Sequence, residues 1–384
     1  MTTQQTMNIL LCPDSFKDCL SAQEVIEALA TGVQHVFPEA IITKIPLADG
    51  GEGFVQTLLT ALGGQLISIQ VKNPLGRLTD ASYGILGDKQ TAVIEMAAAS
   101  GIELLKPEER NPMLTSTFGT GQLLLDAMQR GCRNLIIGIG GSATNDGGTG
   151  MAKALGYRFL NIHGDEIAEG GGELAQLHHI DTSKVTALLK QTQITVACDV
   201  TNPLTGTHGA SSVYGPQKGA TAEMVEKLDE NLQHLANCIE KDLDKTILDL
   251  AGGGAAGGLG AGLVAFAHAE LSLGFDIVKE QTQLEKAIQQ ADFIITGEGK
   301  MDVQTKQGKT PWGVAQLAKK HHKPCLGIAG FLGEGYQELY QEGFTSLLAL
   351  PNGPISLQES IQLASELLAD KAEQAMRLIS FYRH

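Results

Sequence analysis

The chain has 384 residues, 43% of them hydrophobic and 18% charged, with 46 glycines and a formal net charge of −15. That length exceeds one ordinary core and points to two domains, while the glycine excess points to tight turns and backbone-lined pockets. The acidic balance excludes a sequence-independent grip on nucleic acid or an anionic membrane, because both need clustered cations; any phosphate site must be local.

In chain order, Met1 to Thr6 reads as a short leader and Met7 to Cys12 as the first strand, followed by a polar loop, Pro13 to Cys19. Ser21 to Val36 is a predicted helix, with Ser21 as N-cap and Glu24 three residues later completing a capping box. Phe54 to Leu62 reads as a second helix. Leu66 to Val71, Ala81 to Leu86 and Ala92 to Met96 read as successive strands, the last two joined by the turn Gly87-Asp88-Lys89-Gln90, as in a meander. Asn134 to Ile139 is a further apolar strand. Towards the far end, Ala291 to Thr296, Lys323 to Ala329 and Thr345 to Leu350 are strands, with a helix from Thr310 to His321.

This alternation indicates an α/β protein. The strand–helix units at both chain ends are expected to join in one doubly wound parallel sheet, residues 7–73 and 281–384. The glycine-rich middle, 74–280, has the texture of an inserted mixed α/β domain. Cys12, Cys19, Cys132, Cys198, Cys238 and Cys325 show no metal-ligand spacing and read as reduced thiols of a cytoplasmic protein. Neither a secretory leader nor a membrane span is expected.

The densest chemical signal is Gly140-Gly141-Ser142-Ala143-Thr144-Asn145-Asp146-Gly147-Gly148-Thr149-Gly150, placed after a strand and before a helix-compatible segment. Glycines let backbone N–H groups approach an anion, Ser142 and Thr144 add donors, and a helix N-terminus adds its dipole, which together read as a phosphate cradle. It is not a dinucleotide fingerprint, because the third glycine position holds Ala143.

Four other constellations carry chemistry. Ser15 and Lys17, in Pro13-Asp14-Ser15-Phe16-Lys17, follow the first strand where open α/β sheets bind ligands, and suit a carboxylate or phosphate. The run Asp49-Gly50-Gly51-Glu52-Gly53 could share a divalent cation or position a substrate hydroxyl; an Asp-Gly turn before a helix competes with that reading. Asp199, at the end of the strand Ile194 to Ala197, and Lys218 supply the acid and cation that phosphoryl transfer needs, against an Asx turn and a helix-start loop. Glu298 and Asp302 are candidate magnesium ligands at a strand tip. Gly308-Lys309-Thr310 is not a Walker A loop, since the required upstream glycine is Val303. The run Gly252 to Gly260 either holds backbone against a nucleotide or permits close packing. With no metal-binding histidine pair and no nucleophile elbow, phosphoryl transfer from a nucleotide is favoured over covalent hydrolysis.

These motifs occur in the order seen in the type-1 glycerate kinases, which the chain resembles from Asn8 nearly to its C-terminus. They are Pro13 to Lys17, Ala48 to Gly53, Gly140 to Gly148, Asp199-Val200-Thr201-Asn202-Pro203-Leu204, Gly215 to Ala220 and Gly297-Glu298-Gly299. The resemblance implies transfer of the ATP γ-phosphoryl group to D-glycerate with Mg²⁺, giving 2-phosphoglycerate, and a flavodoxin-like domain built from both chain ends. It departs from the family at Asp18, where glycine is usual, and at Cys19, Phe54 and Lys300.

Combined with that resemblance, Lys17 and Ser15 are expected to hold the glycerate carboxylate, with Asp49 and Asn202 as further substrate contacts. Asp199 is expected to take the hydroxyl proton, and Lys218 to neutralise the transferring group. Gly140, Gly141, Ser142, Ala143, Thr144 and Asn145 are expected to cradle ATP, with Asp49, Glu298 or Asp302 on Mg²⁺. Alternatives are a glycerate 3-kinase, a kinase of another small hydroxy acid, or a sensor without turnover; a homo-oligomer is left open.

Overall fold

The computed structural model describes residues 6–48, 50–51, 53–306 and 308–382. Asp49, nominated for substrate and metal, lies outside them, as does Glu52. Thirteen strands are present among the described residues: β1 Asn8–Leu11, β2 Ile41–Lys44, β3 Gly64–Lys72, β4 Leu78–Leu86, β5 Thr91–Glu95, β6 Asn134–Gly138 and β7 Arg158–Leu160, then β8 His179–Asp181, β9 Gln193–Ala197, β10 Glu270–Ser272, β11 Phe293–Met301, β12 Cys325–Leu332 and β13 Ser346–Ala349. The chain divides into two compact units, one of Met1–Asp49, Thr60–Leu62 and Phe275–His384, the other of Gly50–Leu59 and Gly63–Gly274.

In the first unit five strands form one sheet in the order β2-β1-β11-β12-β13, every pairing parallel. Renumbered within the unit this is the flavodoxin-like order 2-1-3-4-5, which reverses between β1 and β11 and opens a ligand crevice beyond their carboxyl ends. Ile9 stands opposite both Phe293 and Ile42. The central strands read as apolar runs because helices cover both faces of a doubly wound sheet; Leu10, Leu11, Ile294 and Ile295 are buried. Helix Ala22–Val36 packs Ile26, Leu29 and Val33 into a core shared with Leu368 and Met376 of helix Ala364–Tyr382. Its start is fixed by the Ser21–Glu24 capping box, with Glu24 accepting from the Ser21 N–H at 2.8 Å.

The second unit holds a six-stranded mixed sheet in the order β10-β9-β6-β5-β4-β3. The meander read from the sequence is present: β3 and β4, then β4 and β5, pair antiparallel. From β5 onward the ladder turns parallel through β6, β9 and β10. Gly138 at the end of β6 stands opposite Ala197 at the end of β9. The segments containing Gly140–Gly150 and Asp199 therefore leave the sheet side by side at its carboxyl end.

Candidate active site

β6 ends at Gly138, where main chain crowds against main chain. A side chain there would come within 2.5 Å of the Gly50 carbonyl oxygen, so glycine is needed for the close approach of two main chains. The loop itself is anchored by side chains of other segments. Thr115 Oγ1 donates to the Ala143 carbonyl at 2.8 Å, and Ser211 Oγ donates to Asn145 Oδ1 at 3.3 Å. Thr144 and Asn145 are fully buried.

Asp146 explains what the cradle's helix does. Its buried carboxylate accepts from Thr117 N–H and Thr117 Oγ1, both at 2.8 Å, and from Gly148 N–H and Gly150 N–H, both at 3.1 Å. Burial raises its pKa, and those four donors pull it back down. The helix that follows, Thr149–Ala154, is only six residues long, and its first N–H groups already serve Asp146. This corrects the expectation that the helix N-terminus faces a phosphate: the terminus has an internal anion of its own.

Lys218, in the turn Pro216–Lys218, is 1% exposed. Its ammonium donates to Ser142 Oγ and to the Thr144 carbonyl, each at 2.7 Å. Burial pushes its pKa down to about 7, with the Asp146 carboxylate opposing the fall. Lys218 and the glycine-rich loop thus form one polar cluster, although they are read as separate motifs in the sequence. The run Gly252–Gly260 forms its backing. Ala256, Gly257 and Gly258 take left-handed backbone conformations inside helix Ala255–Ala267, the Gly257 carbonyl accepts from Gly147 N–H at 3.1 Å, and a Cβ on Gly257 would fall on the Thr144 carbonyl. Of the two readings left open for this run, the structure shows close packing.

Asp199 is exposed beyond β9 and accepts from Gly274 N–H at 3.0 Å. Asn202 has both ends of its amide engaged: Nδ2 donates to the His208 carbonyl and Oδ1 accepts from Tyr214 Oη, both at 2.8 Å. As placed, these two bonds tie its own loop to His208 and Tyr214, and each amide atom has capacity for one further bond.

In the first unit, the other nominated residues lie at that sheet's own switch point. Ser15 N–H donates to Asp14 Oδ1 at 2.6 Å, and Asp14 N–H donates to the Gly297 carbonyl at 2.9 Å, which ties the segment after β1 to β11. Glu298 lies within β11, because the strand continues to Met301 beyond the end read from sequence. Its carboxylate accepts from Thr305 Oγ1 at 3.2 Å and Lys309 Nζ at 3.3 Å. Burial raises its pKa; Lys309, Thr305 and the Lys17 charge oppose the rise. Lys17 and Glu298 therefore share one electrostatic environment.

Asp302 is engaged by Lys300 Nζ at 2.7 Å and by Gln304 N–H at 2.9 Å, and Lys300 holds its carboxyl below the usual range. Among the described residues no group of three or more His, Cys, Asp or Glu side chains is arranged to hold a metal ion. Both oxygens of each described nominated ligand have partners, but those of Glu298 stand at 3.2 and 3.3 Å and those of Asp302 at 2.7 and 2.9 Å, so Glu298 is the carboxylate whose contacts a hard cation replaces more readily. Thr305, Lys309 and Asp146 take part in these networks with no role expected of them from the sequence, although Asp146 and Lys309 lie inside quoted runs. A glycine-flanked, buried-run acid was the available signal for Asp146.

The chain matches the profile of the glycerate kinase family over residues 9–380. It is 49% identical to the glycerate kinase of Halalkalibacterium halodurans, covering 97% of each chain, and 48% identical to the glycerate 2-kinase of Escherichia coli K12, covering 93% of each. A crystal structure from Salmonella typhimurium LT2, proposed to be a glycerate kinase 2, superposes with a TM-score of 0.91 at 46% identity, over 98% of this chain and 99% of that one. With that profile covering nearly the whole chain and these relatives matching over 93% or more of it, the protein belongs to the glycerate kinase family.

Proposed function

We propose that the protein is a cytoplasmic glycerate 2-kinase, transferring the γ-phosphoryl group of ATP to the 2-hydroxyl of D-glycerate. The observation that carries this reading is Lys218, a buried cation bonded into the Gly140–Asn145 loop through Ser142 and Thr144. Kinship with the E. coli glycerate 2-kinase supports the regiochemistry. No described helix is long and apolar enough to cross a membrane.

The glycerate 2-hydroxyl oxygen forms the new P–O bond, the bond from the γ-phosphorus to the β–γ bridging oxygen breaks, and ADP leaves. The hydroxyl proton passes to the Asp199 carboxylate. Lys17 and Ser15 hold the glycerate carboxylate. Lys218 offsets charge on the transferring group, and the Gly140–Asn145 loop packs against the nucleotide phosphates. Bound Mg²⁺ would supply further charge neutralisation at the phosphates, and Glu298 is the described carboxylate that would hold it. Asp49 remains proposed for that role on sequence grounds alone.

The experiment is incubation of the purified protein with ATP, Mg²⁺ and D-glycerate, following ADP release and identifying the product by phosphorus NMR. The expected product is 2-phosphoglycerate. Formation of 3-phosphoglycerate would keep the kinase and overturn the acceptor assignment; glycerate binding without product would replace the enzyme by a sensor.

A further inference from the structure

Four buried side-chain nitrogen or oxygen atoms lack a hydrogen-bond partner among the described residues: Arg110 Nε, Thr144 Oγ1, Asn145 Nδ2 and Thr310 Oγ1. Three of them belong to segments that converge on Lys218. The Thr144 carbonyl accepts from Lys218 Nζ, and Asn145 is the next residue. Arg110 comes alongside through Gly219, the neighbour of Lys218. Gly219 has φ +91°, and a Cβ built on it would collide with the Arg110 carbonyl and lie 3.2 Å from the Arg110 Cβ.

The local accounting of donors and acceptors is unbalanced in one direction. Arg110 Nε–H, the Asn145 amide N–H₂ and the Lys218 ammonium can only donate, while the Thr144 hydroxyl can donate or accept. The buried anion nearby, Asp146, has its oxygens engaged by Thr117, Gly148 and Gly150. Asn145 Oδ1 is already engaged by Ser211, which orients the amide nitrogen away from that partner. Native proteins rarely leave buried donors orphaned, and a group of them beside a buried cation is the complement of an oxyanion.

We infer that Arg110, Thr144 and Asn145, with Lys218, form an oxyanion subsite that takes a phosphate or carboxylate group of a substrate. This deepens the kinase reading and rests on it for the identity of the ligand, but the subsite is defined by its donors alone. Arg110 is its specificity-determining residue: its planar guanidinium can engage two oxygens of one group, which the point charge of Lys218 cannot. The two available sources of the oxyanion are the phosphates of the nucleotide and the carboxylate of glycerate.

The test is steady-state kinetics of Arg110→Gln, Arg110→Lys and Asn145→Ala, with KM measured separately for ATP and D-glycerate. Calorimetric binding of ADP and of D-glycerate to the unaltered protein and to each variant runs in parallel. The expected result is a rise of about tenfold or more in one KM for Arg110→Gln, from loss of a charge-assisted hydrogen bond, with partial recovery in Arg110→Lys. A rise for ATP assigns phosphate; a rise for glycerate assigns carboxylate and moves that role away from Lys17. Unchanged KM and binding for both ligands in variants with native circular dichroism would overturn the subsite while leaving the kinase intact. Should Arg110→Gln fail to fold, Asn145→Ala carries the same comparison. If the unaltered protein binds ADP or glycerate through Arg110 but forms no product, the kinase reading fails and the subsite stands.

Discussion

Lys218 Nζ donates to Ser142 Oγ at 2.7 Å across 76 residues of sequence, so a side chain from one loop sets the charge inside another. The lysine is buried in a place where its ammonium is held only partly charged near neutrality. Its role is therefore tied to pH and to whatever anion arrives.

With a resting pKa of about 7, the cation of the free enzyme is lost as pH rises through that value. Because the charged form assists transfer, kcat/KM is expected to fall on the alkaline side of neutrality. A bound anion favours the ammonium and raises its pKa, so the corresponding fall in kcat is expected at higher pH. Lys218→Met should lower kcat by roughly 10²–10³ while leaving the circular dichroism spectrum native. A kcat/KM profile that stays level to pH 9 would remove Lys218 from the mechanism.

Asp146→Ala strips the acceptor from four donors, three of them backbone N–H groups. The expected loss of stability is about 3 kcal/mol or more, read as a lower denaturation midpoint in urea with an unchanged slope. Asp146→Asn keeps the shape and should lose less.

At Gly257 an alanine faces both a left-handed backbone, φ +68°, and the Thr144 carbonyl in the space its Cβ needs. Gly164, φ +85°, has open space around the same position. Gly164→Ala should cost only about 1–2 kcal/mol from backbone conformation. Gly257→Ala should cost more and should also depress activity by displacing the carbonyl that holds Lys218. Equal melting temperatures for the two variants would contradict the packing described.

Chelation with EDTA is expected to abolish ADP release, and added Mg²⁺ to restore it. Glu298→Gln should raise the half-saturating Mg²⁺ concentration by about tenfold or more, whereas Asp302→Asn, whose carboxylate is held by Lys300 at 2.7 Å against 3.3 Å for Glu298 and Lys309, should change it much less. The reverse ranking would exchange the two residues' roles.

Asp18 takes a left-handed backbone conformation, with φ +61°. The strain of about 1–2 kcal/mol for a left-handed residue is offset by the smaller unfolded-state entropy of a non-glycine residue, roughly 0.5–1 kcal/mol. Asp18→Gly is therefore expected to move the melting temperature by only a few degrees, as differential scanning calorimetry would register.

Local signals made much of this fold legible. The Ser21–Glu24 capping box and the apolar runs of β1 and β11 are written in neighbouring residues, and so was the β3–β4–β5 meander. Strand β2 escaped because Ile41–Lys44 is a short sheet edge, mostly exposed, with no alternation to betray it. The glycine-rich loop was visible as a candidate site, but its internal chemistry was not. Asp146 takes two of its bonds from Thr117, 29 residues upstream, and no local pattern announces that its carboxylate occupies the start of helix Thr149–Ala154. Arg110 gave no motif at all; only burial of its Nε without a partner singles it out.

The parallel pairing of β1 with β11 has a consequence for biosynthesis. Asn8 and Asp292 meet across 284 residues, so the central strand of the first unit leaves the ribosome well before its neighbour exists. At typical elongation rates that wait is on the order of 15–60 s. During it, the apolar edge of β1 has only β2 to pair with and needs shelter from chaperones or from its own helix. The intervening segment carries a separate core that can consolidate first, and the finished sheet then closes around the last third of the chain.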